Sequence, residues 1–244
     1  MKRKLTLEYD GTGFHGWARQ PGLRTVEGVV RDALDAVFPH WSSLAVAGRT
    51  DAGVHATGQV ASVDVDGGPP PERAAEALNT ALPDDVAVLA VEEADADFHA
   101  RFSARSRSYR YRVLARRTPS PLEARRALWW PRPVDSDALE AAAALLLGEH
   151  DFRAFTPAET EHEVFRRDVG AAGWERDGDR LDFTITADSF LRHIVRTLVG
   201  TMLEAGAESP DRIEALVNGR PRSEAGLTAP PWGLYLERVE YDVD

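Results

Sequence analysis

The chain has 244 residues, 43% of them hydrophobic, which is enough for one large domain or two small ones with a real core. It contains no cysteine, and this excludes disulfides, thiolate chemistry and zinc–thiolate sites. No apolar run approaches the roughly 20 residues of a membrane span, and the N-terminus lacks an apolar signal core. We therefore expect a cytoplasmic protein without a membrane association.

The formal net charge is −11, but it is unevenly distributed along the chain. Residues 101–126 hold nine arginines and one acid, a local charge of +8, so the remainder carries −19. This asymmetry favours a basic, nucleic-acid-binding face on an acidic body. Lysine occurs only twice, so a GC-rich coding bias that favours arginine is an alternative explanation for the many arginines. Such a bias explains the choice of arginine over lysine but does not explain why the arginines cluster at 101–126.

The first part of the chain, residues 1–100, mixes strands with helices, as hydrophobic period and capping signals indicate. In chain order we predict a strand at 4–10, a helix capped by Thr25 and ended by Pro39, two strands joined by a long loop within 45–63, a helix from Pro71 to Leu82 and a strand at 86–93.

The second part, residues 101–244, continues the same mixture. We predict a strand at 103–114, a Pro-rich loop at 118–135, a helix at 136–148, a hairpin at 169–187 turning at Asp177–Gly178, helices at 191–205 and 210–217, and a closing strand at 232–242. Hairpin-like neighbours favour an α+β fold over a strictly parallel sheet, with two halves at 1–100 and 101–244.

The loop between the strands of residues 45–63 is longer than the two to five residues of a simple hairpin. It carries Arg49, Asp51 and His55. An aspartate in such a turn usually serves backbone hydrogen bonding. A functional Asp51 is the alternative, favoured by the flexible neighbours Gly48 and Gly53 and by the charge of Arg49. His55 is a candidate for packing or substrate support and lacks the spacing of a metal ligand.

A second candidate lies on the strand at 103–114. Its period of two places Arg105, Arg107, Tyr109 and Tyr111 on one face. Cations beside aromatic rings suit a phosphate backbone with an unstacked base. The alternative is a solvated strand face with one buried tyrosine.

The third candidate is the helix at 191–205, where Arg192 and Arg196 line one edge of an apolar stripe. Such arginines normally extend to solvent, and pairing with a carboxylate in a cleft is the alternative. Two other motifs do not complete a known type of binding site. EHE at 161–163 lacks metal-ligand spacing, and GTGFHG lacks the GxGxxG pattern of a dinucleotide site. We expect neither a metal nor a cofactor.

The segment AGRTDAGVHATGQV resembles the catalytic motif of the TruA family of tRNA pseudouridine synthases. Four further segments match in the same order: LEYDGTGFHGWARQ, FHARFSARSRSYRYRV, FLRHIVRTLVG and GLYL. An RTD tripeptide alone would be unspecific, whereas five ordered motifs cover nearly the whole chain. The departures are Ala18 and Glu27, where the family commonly has Gln, and Thr197, where it commonly has Asn. They concern RNA docking and not the chemical residues.

This resemblance implies a pseudouridine synthase fold, with a central, mainly antiparallel sheet flanked by helices and two similar halves around a cleft. It also implies a homodimer that binds the anticodon arm of tRNA and isomerises uridines 38, 39 and 40 to pseudouridine. By the motif match, Asp51 is the nucleophile, Tyr109 stacks on the target uracil and Arg196 is the partner of Asp51. Arg49 supports the loop or guides the RNA.

Two other functions fit part of the sequence. A glycoside hydrolase would also attack C1′, but it normally needs a second positioned carboxylate, and none pairs convincingly with Asp51. A non-catalytic RNA-binding module would explain the basic strand and leave the RTDAGVH loop without a purpose. The products distinguish the three: pseudouridine, free uracil or unchanged RNA. Whether Asp51 attacks C1′, attacks the uracil ring or abstracts a proton is left open by the sequence.

Overall fold

A computed structural model describes residues 1–160 and 163–242, and these residues form ten strands and five α-helices. Residues 161 and 162 of the EHE motif lie outside the described residues. The chain forms two units, one of Met1–Arg105 with Tyr235–Asp244 and one of Ser106–Leu234. The last strand thus joins the first unit, in contrast to the simple expected division at residue 100. In the described part of the chain, no helix has the length and apolar character to cross a membrane.

The elements follow each other in mixed order. The first are β1 (Lys2–Tyr9), α1 (Val26–Val37), β2 (His40–Val46), β3 (His55–Asp66), α2 (Pro71–Ala81), β4 (Val86–Ala94) and β5 (Ala104–Leu114). The remainder are β6 (Leu128–Trp129), α3 (Ser136–Ala144), β7 (Gly148–Asp151), β8 (Arg166–Asp177), β9 (Arg180–Ala187), α4 (Ile194–Ala205), α5 (Ser209–Leu216) and β10 (Leu234–Tyr241). The predicted α+β class is confirmed.

The sheet of the first unit is built around β1, which pairs antiparallel with both β3 and β4. Strand β2 pairs antiparallel with β3, and β10 pairs with it in parallel. Alternation along β1 buries Leu5, Leu7 and Tyr9 on one face, as the sequence pattern predicts. Helix α2 packs on β4 and against α1, so the apolar stripes of both helices are covered.

Helix α1 begins and ends at its local signals. The hydroxyl oxygen of Thr25 accepts a hydrogen bond from the Gly28 amide at 3.2 Å and so caps the N-terminus. The helix ends at Val37, two residues before Pro39, because proline cannot donate the next helical hydrogen bond. The prediction for this helix is confirmed.

The second unit holds an antiparallel sheet in the order β5-β9-β8-β7, with β6 parallel to β5. Strands β8 and β9 are joined by the two residues Gly178 and Asp179. The predicted hairpin is confirmed, and its turn lies one residue later than the expected Asp177–Gly178, because Asp177 still pairs with Arg180. Helix α3 packs on β8 and on α5, which also contacts α4. The core contains Phe152, Phe155 and Phe183, each fully buried.

Helix α4 begins later than the sequence pattern predicts. The apolar period starts at Leu191, but the first helical residue is Ile194 because His193 adopts a left-handed backbone conformation with φ 65°. Leu191 is buried from the loop instead, at 3% exposure. The short strands β6 and β7 were not predicted, since each depends on a neighbouring strand for its hydrogen bonds.

Candidate active site

Asp51 lies in the loop between β2 and β3, and the backbone on both sides of it is held. The carbonyl of Thr50 accepts a hydrogen bond from the Trp17 amide at 3.0 Å. The carbonyl of Asp51 accepts one from the Val54 amide at 3.1 Å, which closes a four-residue turn. The Asp51 side chain is partly exposed. The loop therefore presents a carboxylate from a backbone with little freedom.

Two glycines make this loop geometry possible. Gly53 is the third residue of the turn and has φ 78°, a conformation that glycine adopts without a steric penalty. Gly16 has φ 88°, and a β-carbon there would lie 2.8 Å from the carbonyl oxygen of Thr50. The GTGFHG segment thus packs its backbone directly against the Asp51 loop. Gly16 permits this close approach.

A buried polar network lies beneath the loop. The Tyr9 hydroxyl is 2.8 Å from Oγ1 of Thr50, and Nε2 of Gln59 donates to the Tyr9 oxygen at 3.3 Å and to the Gly48 carbonyl at 2.8 Å. Burial raises the pKa of Tyr9 to about 12, although the hydrogen bonds with Thr50 and Gln59 oppose this rise. Neither Tyr9 nor Gln59 was predicted from the sequence as a site residue. Only the burial of Tyr9 was predicted, from the alternation along β1.

His55 begins β3 and is 3% exposed. Its Nδ1 accepts a hydrogen bond from the Gly11 amide at 3.0 Å, and its ring stacks on Tyr235 with 4.6 Å between ring centroids. These contacts agree with a packing role. Among residues 1–160 and 163–242, no group of three or more His, Asp or Glu side chains is arranged to hold a metal ion. The absence of a metal stays a prediction.

Arg49 is exposed, and its charge acts on Glu27 in the first turn of α1. Burial alone would raise the pKa of Glu27, but hydrogen bonds from the Arg19 amide and the Arg31 side chain lower it, together with the charges of Arg31 and Arg49. Glu27 is one of the departures from the family pattern. Its carboxylate ties the backbone of Arg19 to α1 at 3.0 Å.

In the second unit, Tyr109 lies on β5 opposite Ile185 of β9 and is 9% exposed. Its ring meets Phe190 edge to face, with 4.8 Å between centroids and 76° between planes. Phe190 follows β9 in the loop that leads to α4. Phe190 was not predicted as a site residue, because nothing in its sequence neighbours indicates a contact with β5.

Arg196 lies in the first turn of α4 and is half-buried. Its Nε donates to the carbonyl of Ala229 at 2.8 Å, and the Ala229 amide donates to the Arg196 carbonyl at 3.0 Å. The positive end of the helix dipole disfavours a cation in the first turn, so helix stability does not explain this arginine. The charge of Arg196 therefore disfavours the helix, and the hydrogen bond to Ala229 holds its guanidinium in a defined orientation.

Tyr111 is fully buried near Arg196 on the same face of β5 as Tyr109. Its hydroxyl donates to the carbonyl of Pro230 at 2.7 Å. Burial raises the pKa of Tyr111 well above its usual value, while the charge of Arg196 opposes that rise. The adjacent carbonyls of Ala229 and Pro230 thus fix both side chains.

The two arginines at the start of β5 have different surroundings. Arg105 is exposed and forms an ion pair with Asp242, with Nε 2.8 Å from both carboxylate oxygens. Arg107 is 8% exposed, and its Nη1 donates to the carbonyl of Asp188 at 2.8 Å, two residues before Phe190. Arg107 thus supports the loop that carries Phe190. Phosphate binding by either arginine stays a prediction.

The chain matches a known protein family over most of its length. The family model described as tRNA pseudouridine synthase matches residues 6–103 and 142–242. These ranges include the Asp51 loop, the loop with Phe190 and Arg196, and Tyr109 lies between the two ranges. The chain therefore belongs to the tRNA pseudouridine synthase family, a class of isomerases, and the resemblance inferred from its motifs is confirmed.

Relatives from three bacteria are similar to this chain over nearly its whole length. A protein of Moorella thermoacetica is 44% identical over 243 residues and covers 98% of both chains. One of Bacillus pumilus is 42% identical over 250 residues, 99% of this chain and 100% of its own. One of Bartonella tribocorum is 40% identical over 243 residues, 98% of both. All three are named tRNA pseudouridine synthase A.

A solved structure titled Crystal Structure of a Cbf5-Nop10-Gar1 Complex is similar at 11% sequence identity and a TM-score of 0.37. The match covers 96% of this chain and 57% of that one. A likeness of this size supports no argument about the fold or the site, and the family assignment rests on the sequence matches.

Proposed function

We propose that this enzyme converts uridines 38, 39 and 40 in the anticodon arm of tRNA to pseudouridine, with Asp51 as nucleophile and without a metal or cofactor. Family membership and the name shared by the relatives support tRNA as the substrate. The observation that carries the residue assignment is the Asp51 loop, whose backbone is hydrogen-bonded on both sides of a partly exposed carboxylate. A fixed carboxylate of this kind suits covalent catalysis.

The reaction needs no redox chemistry. The N1–C1′ bond breaks, the uracil turns, and a C5–C1′ bond forms; the hydrogen on C5 leaves as a proton and N1 gains one. A carboxylate that forms a transient covalent bond and then departs can serve this sequence. Attack on C1′, attack on the ring and removal of the C5 proton all require an ionised Asp51 beside the target base. One charge-removing variant therefore tests all three roles.

Tyr109 and Arg196 complete the proposal. The target base must leave the helical stack to react, and an aromatic side chain can then stack on it. We assign this contact to Tyr109, whose ring is oriented by Phe190. We assign the pairing with Asp51 to Arg196, because the hydrogen bond from its Nε to Ala229 orients the planar guanidinium, which can bind a carboxylate through two nitrogens.

The RNA-binding surface and the assembly belong to the same proposal. The arginine-rich stretch at 101–126, with Arg105 and Arg107, and the exposed Arg49 would contact phosphates. We propose a cytoplasmic homodimer, as the family resemblance implies, with one tRNA contacting both subunits.

The test is Asp51→Asn, assayed on unmodified tRNA transcripts that carry uridine at positions 38–40. Pseudouridine is measured by mass spectrometry of nuclease digests, and free uracil is measured in the same samples. Asp66→Asn is the matched control, since Asp66 is an exposed aspartate at the end of β3. We expect wild type and Asp66→Asn to form pseudouridine, and Asp51→Asn to bind tRNA normally and form none.

Each other result contradicts a part of the proposal. Pseudouridine from a folded Asp51→Asn enzyme would exclude Asp51 as the nucleophile. Free uracil as the product would indicate a glycosidase, and unchanged RNA bound by wild type would indicate a binding module. Activity lost in chelator with prefolded tRNA, and restored by a metal ion, would overturn the absence of a metal.

A further inference from the structure

The polar network beneath the Asp51 loop joins two rigid strands to the loop. Tyr9 is the last residue of β1 and is 3% exposed, and Gln59, in β3, is fully buried. Gln59 holds the carbonyl of Gly48, and Tyr9 holds the side chain of Thr50. The loop is thus fixed at both residues that flank Arg49, and the second of them directly precedes Asp51.

The hydrogen bonds of Gln59 within this network have a defined direction. Nε2 of Gln59 donates one hydrogen to the Gly48 carbonyl and the other to the Tyr9 oxygen, and its Oε1 accepts from the Val60 amide at 3.1 Å. The Tyr9 oxygen is therefore an acceptor toward Gln59, and it shares a second hydrogen bond with Oγ1 of Thr50 at 2.8 Å. Every polar atom of the two strand residues is used.

A purely structural role does not require this arrangement. Burying a hydroxyl and an amide costs free energy that their hydrogen bonds only offset, and apolar residues of the same shape are often equally stable. A fully satisfied buried network does, however, specify one geometry. Thr50 is held a second time through its carbonyl, by the Trp17 amide at 3.0 Å. Its side chain and backbone are thus both fixed immediately before Asp51.

We propose that Tyr9 and Gln59 are positioning residues, which act through Thr50 and Gly48 to hold the Asp51 carboxylate in its reactive orientation. This inference rests on the proposed function, because it requires Asp51 to react. It goes beyond that function in assigning a catalytic consequence to two side chains that do not touch the substrate.

The test is Tyr9→Phe, which removes only the hydroxyl. The matched control is Tyr241→Phe, because the Tyr241 hydroxyl also makes a hydrogen bond in the first unit, to the Ala100 carbonyl at 2.8 Å. Single-turnover rate, tRNA Kd and melting temperature are measured for both. We expect Tyr9→Phe to react about tenfold to a hundredfold more slowly with Kd within about twofold of wild type, since small misplacements of a reacting group have effects of this size. Tyr241→Phe should keep the wild-type rate.

A double-mutant cycle with Thr50→Val tests the route. If Tyr9 acts through the Thr50 hydroxyl, the double variant should react no more slowly than the slower single variant. A wild-type rate in folded Tyr9→Phe, an equal loss in Tyr241→Phe, or rate losses that multiply in the double variant would each overturn the proposal. An active Asp51→Asn enzyme would instead overturn the proposed function, so the two failures are distinguishable.

Discussion

Replacing Gly16 by alanine tests whether the close approach of the GTGFHG segment controls the Asp51 loop. The added β-carbon would lie 2.8 Å from the Thr50 carbonyl oxygen and 3.2 Å from both the Ala52 nitrogen and the Asp51 carbonyl carbon. These neighbours are backbone atoms and cannot rotate away. Because a relaxed carbon–oxygen contact is about 3.3 Å or longer, the loop must shift by about 0.5 Å. The shift begins at the residues next to the proposed nucleophile.

Gly22→Ala is the matched control. Gly22 has φ 74°, close to the 88° of Gly16, but a β-carbon there meets nothing within 4 Å. Both variants therefore lose about 1–2 kcal/mol of unfolding free energy through left-handed strain. Only Gly16→Ala should lose about 1–3 kcal/mol more through overpacking.

The measurements are urea unfolding and the single-turnover rate of pseudouridine formation on prefolded tRNA. We expect the rate of Gly16→Ala to fall by about tenfold or more, because its loop displaces the carboxylate, and that of Gly22→Ala to match wild type. Equal rates in the two folded variants would refute the idea that the backbone of Gly16 sets the loop geometry.

Substitutions of Arg196, Arg105 and Tyr9 test three further expectations. Arg196→Lys keeps the charge but loses the Nε hydrogen bond and the planar guanidinium, so kcat should fall by about tenfold while tRNA affinity changes little; equal losses in both would contradict a catalytic role. Arg105→Gln should reduce the slope of log affinity against log salt by about 1, and Arg238→Gln, an equally exposed control, should leave it unchanged; identical slopes would contradict a phosphate contact at Arg105. The pKa of Tyr9 rises on folding from 10.0 to about 12, so the folded chain keeps a proton that the unfolded chain loses. The unfolding free energy of wild type should therefore fall by about 2–3 kcal/mol relative to that of Tyr9→Phe as the pH rises from 10 to 12, and urea unfolding of both proteins across this range measures the difference.

Elements with complete local signals were predictable. Helix α1 has a capping threonine, an apolar period and a following proline, all within one short segment. The hairpin of β8 and β9 has alternating residues and a glycine at its turn, where Gly178 takes φ 58°. Each of these signals acts between residues near in sequence, so the pattern alone identifies the element.

Elements that depend on distant partners were not predictable. Strand β6 has two residues and exists through its pairing with β5. The start of α4 is set by the left-handed conformation of His193, which an apolar pattern from Leu191 onward cannot reveal. Residue types and their spacing describe local preference, whereas these features follow from hydrogen bonds and packing to other parts of the chain.

The candidate site divides in the same way. The sequence by itself determined the family and, through its motifs, the proposed roles of Asp51, Tyr109 and Arg196. These roles depend on the side-chain type at each position, and the sequence states that type directly. Only the tertiary structure showed that Tyr9, 41 residues before Thr50, shares a hydrogen bond with it, and that the Ala229 carbonyl holds Arg196. Orientation of a reacting group is set by such contacts, and folding alone brings their atoms within hydrogen-bond distance.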